Sequence, residues 1–246
     1  MSEKKWFQTG KDGEAKAEDV QKAIQAGSAA KRRFFLTEGN EAKVTFLDST
    51  GFWLYEHNLR LNGKWFNYFT CLQELDNCPM CDAGQRASYV CVYTVIDHSK
   101  YESKKTPGKI ITNQKKLMVM KKGAHDKLKD RRDNQCEGDI TNCVFRMKRY
   151  KREECSTGED IMFIKRLDPT ILAKLIPADV PAEEREDYLK PFNYMELFKP
   201  KSAEELRRVV GGAAPVGAPD SFGPASVPDS PTGSAPPAAD DLDAYL

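Results

Sequence analysis

The chain has 246 residues, 40% hydrophobic and 30% charged, with a formal net charge of +1. That length suits one sizeable domain, or a domain with a tail. No run approaches the ~20 apolar residues that span a bilayer, and the N-terminus has no apolar signal core, so neither a membrane nor a secreted protein is expected. Seven cysteines, an odd number and clustered, favour metal-bound thiolates in a reducing cytoplasm over a disulfide framework.

The charge is unevenly spread. Residues 211–246 hold Asp220, Asp229, Asp240, Asp241 and Asp243 and no lysine or arginine, which leaves +6 on residues 1–210. A basic body with an acidic tail suggests a polyanion-binding surface and a segment that competes for it.

In chain order, residues 1–30 read as a flexible, charged arm with a weak helix over 15–30, and for its opening Lys4-Lys5 a solvated, disordered stretch is favoured over a contact to a neighbouring molecule. Lys31-Arg32-Arg33 leads into the body, and residues 42–48 alternate as a strand. Residues 55–61 and 64–69 alternate around Asn62-Gly63, the signature of a tight hairpin, rich in aromatics from Phe52 to Phe69. Residues 89–96 form the most apolar strand. A basic loop with Lys100, Lys104, Lys105 and Lys109 follows, then a strand at 117–120 and a helix over 127–132. Strands at 143–150 and 161–167 flank a turn at Thr157-Gly158. Helices are expected at 170–176, 182–189 and 202–210, the last opened by Ser202 with Glu205 three residues on, a capping box. From Gly211 the chain turns to Gly, Ala, Pro and Ser, a disordered linker ending in Asp240-Asp241-Leu242-Asp243-Ala244-Tyr245-Leu246. Short strands and few helices predict a mainly β fold, an OB-fold-like small closed barrel. The expected division is an arm (1–30), a core (31–210) with a metal-binding subdomain at about 52–85, and a tail (211–246).

The most specific chemistry lies between His57 and Cys81. Cys78-Pro79-Met80-Cys81 places two thiols where a tight turn brings both to one metal, and the hairpin carries His57 back toward Cys71. These four residues form a closed ligand set for one structural Zn²⁺. Cys91 is the rival ligand, but it sits in an apolar strand that a core position explains better.

A second pattern interleaves cations with aromatic rings. Arg60, Lys64, Trp65, Arg86, Tyr89, Tyr93, Lys100, Tyr101, Lys104 and Lys105 fall in one region, and single-stranded nucleic acid asks for a basic groove together with ring faces on which bases stack. No GxSxG, P-loop, GxGxxG or HExxH motif is present, so an enzyme is not expected. The alternative is a zinc-ribbon transcription-type factor that binds duplex DNA, RNA or a polymerase.

The segment His57-Asn58, Asn62-Gly63-Lys64-Trp65, Thr70-Cys71 and Cys78-Pro79-x-Cys81 resembles the zinc subdomain of the T4-type phage single-stranded DNA-binding (helix-destabilising) proteins. Ala42–Asp48, Arg86-x-Ser88-Tyr89, Cys143–Tyr150 and the closing Asp-Asp-Leu-Asp-Ala-Tyr are similar in a weaker way. The resemblance implies an OB-fold that coats single-stranded DNA in phage replication, recombination and repair. It also implies self-association along the strand through a basic N-terminal arm, and replication and recombination partners for the tail residues Asp240, Asp241, Leu242, Asp243, Tyr245 and Leu246. Two departures stand out: the stretch between Cys81 and Tyr89 is short, and the N-terminus lacks a compact basic cluster, whose equivalent is either Lys4-Lys5 or Lys31-Arg32-Arg33.

Overall fold

The computed structural model describes residues 33–61, 64–103 and 106–211. The N-terminal arm, the Asn62-Gly63 turn, Lys104, Lys105 and the acidic tail lie outside these residues. The strands are β1 (Glu41–Phe46), β2 (Phe52–Leu61), β3 (Lys64–Thr70), β4 (Ser88–Asp97), β5 (Tyr101–Glu102), β6 (Ile110–Ile111), β7 (Gln114–Lys121), β8 (Cys143–Lys148) and β9 (Asp160–Arg166). The helices are α1 (Pro79–Asp82), α2 (Lys122–Gln135), α3 (Pro169–Lys174), a 3-10 turn at Ala182–Glu184 leading into α4 (Arg185–Tyr188), α5 (Tyr194–Leu197) and α6 (Ala203–Gly211).

Seven strands form one antiparallel sheet in the order β3-β2-β4-β1-β8-β9, with β7 paired to β4. β4 is its axis. Its first half pairs with β2 and its second half with β1 along one edge, while β7 takes the other edge from Val90 to Asp97. With neighbours on both edges and packing on both faces, β4 is buried from Val90 to Asp97, which is why its sequence reads as a continuous apolar run.

The expected closed barrel does not form. Among the described residues no ladder joins β7 to β9, and the outer edge of β7 meets only a parallel bridge between Arg33 and Leu117. The reason is α2, which follows β7 without a loop and packs against β9. Ala124 and Leu128 enter the same core as Ile161, Arg131 Nε donates to the Ile161 carbonyl at 3.2 Å, and Lys127 pairs with Glu159 at 2.9 Å.

The main core lies on one face of the sheet, around Phe46, Tyr93, Met118, Met120 and Phe145. Phe46 meets both Tyr93 and Phe145 edge-on, at 5.4 and 5.3 Å. On the other face Leu54, Val90, Val92 and Leu117 are covered by the C-terminal segment through Phe192, Tyr194, Leu197 and Phe198. This segment is also held by polar contacts. Tyr194 donates its hydroxyl to buried Asp48 at 2.8 Å, and the Phe192 N–H donates to Thr94 Oγ1 at 2.9 Å. Burial pushes the Asp48 carboxyl above its usual range, opposed by hydrogen bonds from the Thr94 N–H and the Tyr194 hydroxyl and by Lys115.

The Thr157-Gly158 turn forms as expected. Gly158 sits at φ +83°, and a Cβ there would lie 2.6 Å from the Lys148 carbonyl oxygen, so glycine is required on both counts. The capping box of α6 also forms: Ser202 Oγ accepts from the Glu205 N–H at 3.3 Å, and Glu205 Oε2 accepts from the Ser202 N–H at 2.9 Å. No described helix is long and apolar enough to cross a membrane.

Candidate metal centre and aromatic platform

The β2–β3 hairpin and the loop after it build a small lobe on the sheet. His57 pairs with Phe69 in the β2–β3 ladder, so its ring is delivered to the end of β3 from which Cys71 departs. Cys71 is fixed by its own N–H, which donates to the Tyr55 carbonyl at 2.8 Å. Cys78 and Cys81 flank the first turn of α1, opened by Pro79, which has no N–H to leave unpaired. Asp82 and Gly84 N–H groups donate back to the carbonyls of Cys78 and Cys81, and Gly84 closes the turn at φ +76°.

His57, Cys71, Cys78 and Cys81 thereby bring four ligand atoms within 4.8 Å of one another, a cluster that can hold a metal ion. His57 Nε2 lies 3.4 Å from Cys78 Sγ and 3.7 Å from Cys81 Sγ, and Cys71 Sγ lies 3.5 Å from Cys81 Sγ. That last separation is far beyond a disulfide bond of ~2.05 Å. Burial lowers the His57 pKa, opposed by backbone groups of Arg86 and Gln85, which favours the neutral imidazole, the form that donates a lone pair to a metal. Burial pushes the Cys71 thiol up to about 12 and raises that of Cys81. At Cys78 burial acts in the same sense, but backbone N–H groups of Leu72, Cys81 and Met80 outweigh it and bring the thiol below its ordinary value. Cys91 is fully buried in the main core and stands apart from the cluster, as a core position requires.

The second pattern of residues is only partly gathered. Tyr89 is 48% exposed on β4. The register that sets Trp53 opposite Cys91 and Tyr55 opposite Tyr89 packs three rings together: Trp53 stacks on Tyr89 at 5.1 Å, and Tyr55 lies tilted on Tyr89 at 4.6 Å. His125 of α2 closes one end, edge-on to Trp53 at 4.6 Å. Tyr55 also packs beside Leu59 and Cys71, so the platform runs from α2 to the Cys/His cluster. Arg86 is exposed on the loop entering β4, and Arg60 is exposed near the turn end of β2. Lys64 and Trp65 open β3, while Lys100 is half-buried between β4 and β5.

Tyr93 requires a correction. It is 1% exposed in the main core, since its side chain points to the inner face of a strand covered on both sides, and it cannot stack on a base. Tyr101 is engaged internally: its hydroxyl donates to Asp97 at 2.5 Å, and Lys116 lies 4.1 Å above its ring. Arg33, one of the candidate basic residues before the body, is also engaged. It forms a buried two-pronged pair with Glu56, at 3.0 and 2.6 Å, with its guanidinium 3.4 Å from the centre of the Tyr68 ring. Sequence reasoning leaves Trp53 and Tyr55 without a contact role. The signal for them was their i, i+2 spacing with His57, which sets all three on one face of β2.

The chain matches no protein-family model and no curated protein.

Proposed function

We propose that this protein binds single-stranded DNA without reading its sequence, as a non-enzymatic coating protein in phage-type replication, recombination and repair. The observation that carries the reading is the Trp53–Tyr89–Tyr55 platform, a ring stack with Tyr89 half-exposed, beside the metal lobe. Ring faces of this kind accept any base, since every base has a π-face. Exposed Arg86 and Arg60, with Lys64 and the basic loop at 100–109, neutralise phosphates. The body is an OB-type fold opened between β7 and β9. Its support is the ladder pattern, in which β8 returns past α2 to pair with β1, as in a partly open Greek-key barrel.

The metal is zinc, in a structural role. A tetrahedral zinc with Zn–S of ~2.3 Å and Zn–N of ~2.0–2.1 Å has S···S edges of about 3.8 Å and S···N edges of about 3.5 Å. Three of the six separations, at 3.4, 3.5 and 3.7 Å, lie within about 0.3 Å of those edges, and all four atoms lie within 4.8 Å of one another. Four protein ligands leave no position for a reacting water, so the ion fastens the loop of residues 71–82 to β2.

Replacing Tyr89 with alanine is expected to weaken binding to a labelled oligo(dT) by about 5- to 150-fold, the equivalent of ~1–3 kcal/mol for one stacked base. Fluorescence anisotropy measures this, and circular dichroism checks that the fold is kept. Unchanged affinity contradicts the platform. Tighter binding to an equal-length duplex favours a zinc-ribbon type factor instead.

The acidic segment 211–246 competes for the same basic surface and recruits partner proteins. Its deletion should tighten oligo(dT) binding at low salt, and the difference should vanish as salt screens both polyanions. Equal affinities at low salt contradict the competition.

A further inference from the structure

The metal lobe is also the seat of the C-terminal helix. Leu206 of α6 is fully buried, packed among Leu59, Cys71, Leu72, Cys78 and Met80. Ala203, Val209 and Val210 extend the contact and pack against the same cluster, a stripe at helical spacing along one face of α6. The opposite face carries exposed Glu204, Glu205, Arg207 and Arg208.

Neither partner in this contact is stable by itself. A nine-residue helix is too short to persist alone in water, even with its capping box. Its seat is no sturdier. Residues 71–78 contain no regular element and are tied mainly by turn bonds, from the N–H groups of Leu75 and Asp76 to the Leu72 carbonyl. Two of the side chains that surround Leu206, Cys71 and Cys78, are metal ligands. The atoms that grip the ion therefore lie in the same small cluster as those that grip the helix.

We propose that metal binding and the docking of α6 are thermodynamically coupled, so that loss of the ion releases the chain from Ala203 onward. Phe198 stays behind, because its side chain is buried on the sheet and its carbonyl accepts from Thr70 Oγ1 at 2.7 Å. The coupling is reciprocal: whatever factor the metal adds to helix docking, the docked helix adds to metal affinity. It rests on the metal reading and is independent of nucleic-acid binding.

The test uses the full-length chain, with zinc affinity measured by competition against a chromophoric chelator. Leu206→Asp should weaken zinc binding at least tenfold and Leu206→Ala by a smaller factor. In parallel, trypsin should cut at Arg207 and Arg208 at least tenfold faster in the chelator-stripped protein than in the loaded one, with zinc restoring protection. Cutting at Arg131 and Arg132 of α2 should keep its rate, which separates helix release from global unfolding. Equal zinc affinity in both variants overturns the coupling, as do equal cleavage rates at Arg207 and Arg208 with and without metal. A wild-type chain that takes up no zinc overturns the metal reading itself.

Discussion

Cys78→Ser should reduce zinc content from one equivalent per chain to less than a tenth, and should unfold the lobe while leaving the β-body standing. Cys78 is a buried member of the proposed ligand set. It is 2% exposed, and the backbone N–H groups of Leu72, Cys81 and Met80 hold its thiol below the ordinary value. A serine hydroxyl there is a poor metal donor and leaves the remaining thiols unfastened. Structural zinc supplies folding free energy directly, ~10–16 kcal/mol in isolated finger peptides. The cost here falls on residues 57–85 and the helix seated against them. Metal analysis after gel filtration, with limited proteolysis, checks both parts. A variant with full metal content and an unchanged cleavage pattern would remove Cys78 from the ligand set.

Lys116→Met is expected to destabilise the body by ~3–5 kcal/mol at pH 7, because it strands a buried carboxylate. Asp97 has no exposed side-chain surface and meets Lys116 Nζ at 2.7 Å. Burial by itself would raise the Asp97 pKa, but Lys116, with hydrogen bonds from Tyr101 and Ser99, outweighs it and holds the carboxyl below the usual range. For Lys116, burial would lower the pKa, and Asp97 and Tyr101 raise it on balance. The signs fix a window. The Asp97 contribution is present above its unfolded value of ~3.9 and is lost as pH falls through its lowered folded value. The Lys116 contribution is present below its unfolded value of ~10.4 and is lost as pH rises through its raised folded value. Urea midpoints at pH 3, 7 and 9 should therefore show the penalty in full at 7 and 9 and reduced at 3. A uniform penalty across the series would mean that packing, not charge, is what the substitution removes.

What the sequence made legible was local. The gathering of His57 with Cys71, Cys78 and Cys81 was readable because Cys-x2-Cys and the pairing of two adjacent alternating runs are short-range devices. Ser202 with Glu205, and Thr157-Gly158, were readable for the same reason. Tyr93 was not, because β4 is buried on both faces and its sequence carries no alternation to separate inward from outward rings. Barrel closure was not readable either. It turns on whether β7 meets β9, and the occupant of that gap, α2, shows only lysines, arginines and aspartates along most of its length, with Ala124 and Leu128 as its buried residues. β5 and β6 are two residues each, below what any periodicity can reveal, and they stood in the sequence as one basic loop. The contacts of Leu206 with Cys78 and of Tyr194 with Asp48 cross more than 100 residues, and no local pattern encodes them.

The platform shows the same division. Each ring was visible in the sequence, but only the β2–β4 register puts Trp53 and Tyr55 on Tyr89. That register also connects the two halves of the account, since Tyr55 touches the metal lobe on one side and the exposed ring on the other.

The most direct test of single-strand binding is intrinsic tryptophan fluorescence on adding oligo(dT), and then a duplex of equal length, across a salt series. Stacking beside Trp53 predicts quenching by the single strand alone, with an affinity that falls steeply and log-linearly as salt displaces the released counterions. Absence of quenching by either nucleic acid, with no binding in a direct assay, would contradict the account and leave the metal lobe as a purely structural or protein-docking device.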